Sequence, residues 1–229
     1  MPRRYVVLDV FTNRPLAGNP LAPLGSWTIR PLQAPSIALA AAPRVAAPGA
    51  TIVLTGSVEN AAGGAFTLER LAADGTWDAI EPLLPDAAGE FFSDQVVDRN
   101  ASFRVIYSGN NASAATTSSG VRILVRRSVV AAGPSPTVIR SASVGQRISV
   151  AAILGPNEPA ASATLTLSRY DQVKRGYRVV TRLSQTSSGG RATFSWRASS
   201  PGRYLVRLST PATDAYASGQ SGSYRWIIR

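Results

Sequence analysis

An all-β fold, built as two tandem β-sandwiches behind a short N-terminal extension, is what this 229-residue sequence predicts. Three observations carry that expectation. Short runs of alternating apolar and polar residues are separated by turn residues, the pattern of strands with one buried face. No stretch holds a helical period over ten residues. The second half of the chain repeats the first in order, which makes two copies of one β-unit the economical reading.

The elements follow in chain order. "TIVLTGSV" at 51–58, "AFTLERL" at 65–71, "SFRVIYS" at 102–108 and "VRILVR" at 121–126 each alternate and read as strands. Asp74-Gly75 stands between "FTLERL" and "TWDAI", a hairpin signal. In the second copy, "SVGQRISVAAIL" answers "APGATIVLTGSV" and aligns Gly145 with Gly49. "TLTLSRYDQVKRGYRVV" answers "AFTLERLAADGTWDAI", aligning Leu165 with Phe66, Leu167 with Leu68 and Tyr177 with Trp77. "RYLVRLSTPATDAYASGQSGSYRWII" answers "SFRVIYSGNNASAATTSSGVRILV". The expected division is a non-domain segment at 1–35, a first sandwich at 36–127, a Pro/Gly linker at 128–136 around "AAGPSPT", and a second sandwich at 137–229.

On these motifs each copy resembles the bacterial immunoglobulin-like or fibronectin-type-III-like modules. The shared marks are a Gly before the second strand, "TLxR…G-W" across a hairpin, and an aromatic residue opening the penultimate strand. Phe103 and Tyr204 hold that last place. In this resemblance the tyrosine closes a corner with its hydroxyl, which Phe103 lacks. The resemblance implies a non-catalytic spacer or adhesion module of a secreted or cell-envelope protein. It also implies that any partner is another envelope protein or a polymer.

The opening stretch resembles something else. "LDVFTNRPLAGNPLA" is similar to the N-terminus of the PhzF phenazine-biosynthesis isomerases, a likeness confined to residues 3–24. Asn19 and Pro20 match that family's turn, but no segment with the family's catalytic glutamate follows. Prolines 31, 35, 43 and 48 come instead. A fusion, a misassigned start or an integral strand all fit this stretch, and a fragment of the isomerase is the remote alternative. No secretory leader is visible, since Arg3, Arg4 and Asp9 precede no apolar core with a cleavage site.

Composition narrows the chemistry. The chain has no Cys and no His. That excludes thiolate nucleophiles, disulfides, serine–histidine catalysis and histidine-ligated zinc. No run of about 20 apolar residues exists, so no membrane-spanning helix is expected. Glu90, Asp94 and Asp98 gather carboxylates without the spacing of a calcium loop. No catalytic residue, metal or cofactor is assigned. Trp77, Trp196, Tyr204 and Trp226 lie in apolar alternations and are expected in the cores.

Charge is the sharpest signal. Residues 37–127 carry seven arginines against nine carboxylates, whereas residues 128–229 carry twelve arginines and Lys174 against three carboxylates. Alternation in "YRVVTRL", "RYLVRL" and "YRWII" points Arg178, Arg182, Arg203, Arg207 and Arg225 outward, on one face if these strands share a sheet. Such a face suits an acidic polysaccharide or another polyanion. The motifs and interleaved aromatics of a sequence-specific nucleic-acid reader are missing.

Overall fold

The computed structural model describes residues 32–61, 63–133, 135–157 and 160–229. The described residues all belong to one compact unit, Leu32–Arg229. The PhzF-like stretch at 3–24, with Asn19 and Pro20, lies outside them.

The described residues form 17 strands and no helix, the all-β fold expected. In the first sandwich, β1 (Ser36–Ala42), β3 (Ala50–Glu59) and β6 (Glu90–Val97) make one antiparallel sheet in the order β1-β3-β6. Facing it, β2 (Val45–Ala46), β9 (Val121–Val125), β7 (Ala101–Tyr107), β4 (Phe66–Leu71) and β5 (Trp77–Leu83) run in the order β2-β9-β7-β4-β5, with β8 (Thr116–Thr117) also on β7. The second sandwich repeats both sheets. One is β10 (Ser128–Ala132), β12 (Arg147–Gly155) and β15 (Arg191–Arg197). The other holds β11 (Ile139–Ala142), β17 (Gly219–Ile228), β16 (Gly202–Thr210), β13 (Ser162–Asp171) and β14 (Gly176–Thr186), in that order.

Period-two alternation builds each core. β7 alternates buried and half-buried residues along its whole length, and β15 alternates buried and exposed ones. Ile52 and Leu54 in one copy and Ile148 and Val150 in the other project from matching positions into their cores. Trp196 packs 5.6 Å from Tyr204 and 6.3 Å from Trp226, centroid to centroid. Removing such side chains from water stabilises by about 1.5–3 kcal/mol each. In β3 the chain passes so close to its neighbours that a Cβ on Gly56 would sit 2.2 Å from the Phe91 ring and 2.3 Å from the Ala38 carbonyl oxygen.

Two details fix the duplication at the level of register. Gly49 and Gly145, aligned by sequence, both adopt positive φ, 75° and 77°. Each β-hairpin between the aligned strands also carries a bulge at the same place. Leu68 pairs Glu81 while Glu69 pairs Ala79, leaving Ile80 as the extra residue. Leu167 pairs Thr181 while Ser168 pairs Val179, leaving Val180. The hairpin read from Asp74-Gly75 is present, with the Asp74 carboxylate accepting from the Thr76 amide and hydroxyl at 3.0 and 2.6 Å. Tyr204 donates its hydroxyl to the Ser200 carbonyl at 2.9 Å. Phe103, fully buried at the equivalent position, lies beneath the Arg70 guanidinium at 5.9 Å from its centroid.

Two sequence expectations are corrected. Residues 128–136 are not all linker, because Ser128–Ala132 is β10, paired along its length with β12. Its alanines and serine hid it from an alternation test. Trp77 is half-buried and outside the core, since it pairs with exposed Leu71 on the solvent face of its sheet.

Candidate functional site

The five-stranded sheet of the second sandwich turns an arginine-bearing face to solvent. Register defines its rows. Ser223, Arg207, Thr166 and Arg182 stand side by side on β17, β16, β13 and β14. The next row is Arg225, Leu205, Ser168 and Val179, and Arg203 pairs with Ile227 beyond it. With strands about 4.8 Å apart and rows about 7 Å apart, Arg182, Arg203, Arg207 and Arg225 fall within one patch. The sole carboxylate in these five strands is Asp171, at the end of β13. Arg207 is steadied from the side by donating to the Ser223 hydroxyl at 3.0 Å.

Arg178 does not join this face. Arg182 follows it at the fourth position, so unbroken alternation would place them together. The extra residue Val180 reverses the facing of everything before it. Arg178 therefore shares a register position with Arg169 and buried Tyr204. It donates instead to Asp171 at 3.2 Å. Hydrogen bonds from the Lys174 amide first, and then from Arg178 and the Val173 amide, hold the Asp171 carboxyl below its ordinary range. The structure brings together four of the five arginines named from sequence.

A feature the sequence did not reveal lies where the two sandwiches meet. β9 runs into β10 through Arg126 and Arg127 alone. The loop after β16 reaches back to the first sandwich. There the Ala217 amide donates to the Val125 carbonyl at 2.8 Å and the Asn100 amide to the Ala215 carbonyl at 2.7 Å. Asn100 closes the arrangement, accepting from the Val125 amide at 2.8 Å and donating to the Asp214 carbonyl at 3.0 Å. Tyr216, from the second sandwich, belongs to the core cluster of the first. Against it lies Arg127, 2% exposed, its guanidinium 4.8 Å from the ring centroid. Burial lowers the Arg127 guanidinium from its ordinary value, and Tyr216 opposes the shift. Gly219 permits the close approach, since a Cβ there would stand 2.4 Å from the Arg127 carbonyl oxygen. An arginine between two apolar strands looks like ordinary surface charge in the sequence. Its partner is 89 residues away, beyond the reach of local pattern.

No protein-family model and no curated protein matches the sequence. Among solved structures the chain is similar to the Yersinia pseudotuberculosis adhesin InvE, at 14% identity and a TM-score of 0.35, over 84% of this chain and 58% of that one. It is also similar to the fibronectin(III)-like modules of Clostridium thermocellum CbhA, at 11% identity and 0.31, over 84% and 94%. A tetra-tandem repeat in the extending region of a large adhesion protein gives 12% and 0.36, over 83% and 49%. The chain thus spans under three-fifths of the InvE chain and about half of the tandem-repeat chain. Strand order and register define the fold independently of these likenesses: two tandem immunoglobulin-like β-sandwiches.

Proposed function

We propose that the chain is a non-catalytic spacer or adhesion module of a secreted or cell-envelope protein, with its two sandwiches held as one stiff segment. The observation that carries this reading is the joint. Flexible tandem domains are normally separated by exposed linkers with few crossing contacts. Here two residues connect the strands, three hydrogen bonds cross between the sandwiches, and a tyrosine from one sandwich fills the core of the other. Such a joint suits a role in transmitting length or force. The absence of His and Cys from the whole sequence removes the commonest catalytic groups. Small-angle scattering of the full chain tests the proposal. One fixed arrangement of the sandwiches should fit the profile, and a broad ensemble of orientations would refute it.

A second reading rests on a separate observation. The face bearing Arg182, Arg203, Arg207 and Arg225 has no carboxylate among the strands' outward positions. Unneutralised planar donors of this kind favour anionic polymers such as acidic polysaccharides. Salt-dependent retention of the full chain on a heparin column is the corresponding measurement.

A further inference from the structure

The outer face of the three-stranded sheet in the first sandwich is the electrostatic opposite of the arginine face. β1, β3 and β6 contain no Arg or Lys. Outward along β6 stand Glu90, Phe92, Asp94 and Val96, all exposed, and Phe92 is 76% exposed. Beside them Thr55 pairs with Phe92, half-exposed Val53 with Asp94, and Ala40 and Ala42 complete the rows on β1. Small residues leave the phenyl ring standing clear of its sheet. Next to β6 an open groove of about 1050 Å³ adds Glu81, Leu84 and Asp86.

The pattern on β6 matches that on β16. Glu90–Phe92–Asp94 reads acid, apolar, acid at every second residue, and Arg203–Leu205–Arg207 reads base, apolar, base at the same interval. On each strand the charges are four residues apart, about 13–14 Å, so both pairs can meet at once with the apolar residues between them. We propose that the β1-β3-β6 face of one copy docks on the arginine face of the second sandwich of another copy, head to tail. Phe92 packs on Leu205, Glu90 and Asp94 pair with Arg203 and Arg207, and the carboxylates at the groove meet the outlying arginines. The two patches are different surfaces, so the contact is heterologous and can repeat from copy to copy. Three strands of seven, ten and eight residues, paired over seven or eight positions, present roughly 350 Å² per partner, which places the contact among weak, salt-sensitive ones.

Sedimentation velocity of the full chain over a concentration series tests this, with wild type, Glu90→Ser/Asp94→Ser and Arg203→Ser/Arg207→Ser. Wild type should associate at low ionic strength, and association should weaken about tenfold or more when salt rises to about 0.5 M. Each double variant alone should remain monomeric. An equimolar mixture of the two should form a 1:1 dimer and nothing longer, because one keeps its arginine face and the other its acidic face. That dimer would also show that both variants are folded. Wild type that stays monomeric at low salt overturns the proposal. So does an acidic-face variant that associates like wild type, or a mixture that stays monomeric.

Discussion

The two sandwiches share strand order, registers and bulges, yet their outward residues differ position by position. Register aligns Arg178, Arg182, Arg203 and Arg207 with Asp78, Pro82, Ser102 and Ile106, and Arg225 with Gly120. The first copy has no positive charge at any of them. Of the arginines it does place outward on this sheet, Arg122 is exposed beside Ser102, whereas Arg104 is matched by Glu69 at 2.6 Å and covered by the Trp77 ring at 4.2 Å. The second copy has Leu205, Ser168 and Tyr177 at those positions, leaving nothing there to neutralise its arginines. Inward residues answer to one core geometry and stay apolar. Outward ones answer only to what they meet, and they diverged.

The largest test of this comparison concerns dependence rather than charge. The first sandwich takes Tyr216 from the second for its core. Tyr216→Ala should therefore cost about 3 kcal/mol, as aromatic-to-alanine core changes do, and that cost should fall on the first sandwich. Calorimetry should separate one unfolding transition into two, with the first sandwich melting earlier. A uniform shift of a single transition would break the asymmetry.

The corner residues give the next effect. Tyr204→Phe removes the donor to Ser200 and leaves that carbonyl without it, at a cost of about 1–2 kcal/mol by chemical denaturation. It also makes the second copy resemble the first, which manages with Phe103.

A smaller effect on stability, but a plain one on binding, is expected from Arg203→Ser/Arg207→Ser. Exposed substitutions change stability by under about 0.5 kcal/mol, while heparin retention should fall to lower salt. Arg178→Ser, on the other face, should leave retention nearly unchanged. Equal loss in both variants would show that total charge, and not the face, governs retention.

The smallest effect is on pH. Asp171, like Asp74 in the first copy, has its carboxyl lowered, in Asp74 chiefly by the Thr76 hydroxyl. A lowered folded-state value stabilises above the unfolded carboxylate pKa of about 3.9 and is lost as pH falls through the folded one. Asp171→Asn should therefore flatten the acid side of the stability profile by lowering stability near neutrality, and should change it least below the folded-state value.

Much of this was legible in the sequence. The alternating runs became β3, β4, β7 and β9, the internal alignment placed Trp77 opposite Tyr177 in true register, and Tyr204 made its corner bond. What escaped has a common cause. β1 and β10 are rich in alanine, whose small side chain marks neither face. Val180 and Ile80 shift register without disturbing the apolar pattern around them, so Arg178 was placed on the wrong side. The Arg127–Tyr216 contact joins residues that no local rule connects.

The paired bulges have a consequence for a molecule crowded among its own copies. β5 and β14 are the outermost strands of their five-strand paths, with one edge unpaired, and such edges recruit strands from other chains. An extra residue increases local twist and breaks the row of backbone donors and acceptors that a flat incoming strand would need. In β5, Pro82 removes one donor more. Two copies that both keep the irregularity keep the same guard on this one edge against strand addition from a neighbouring copy.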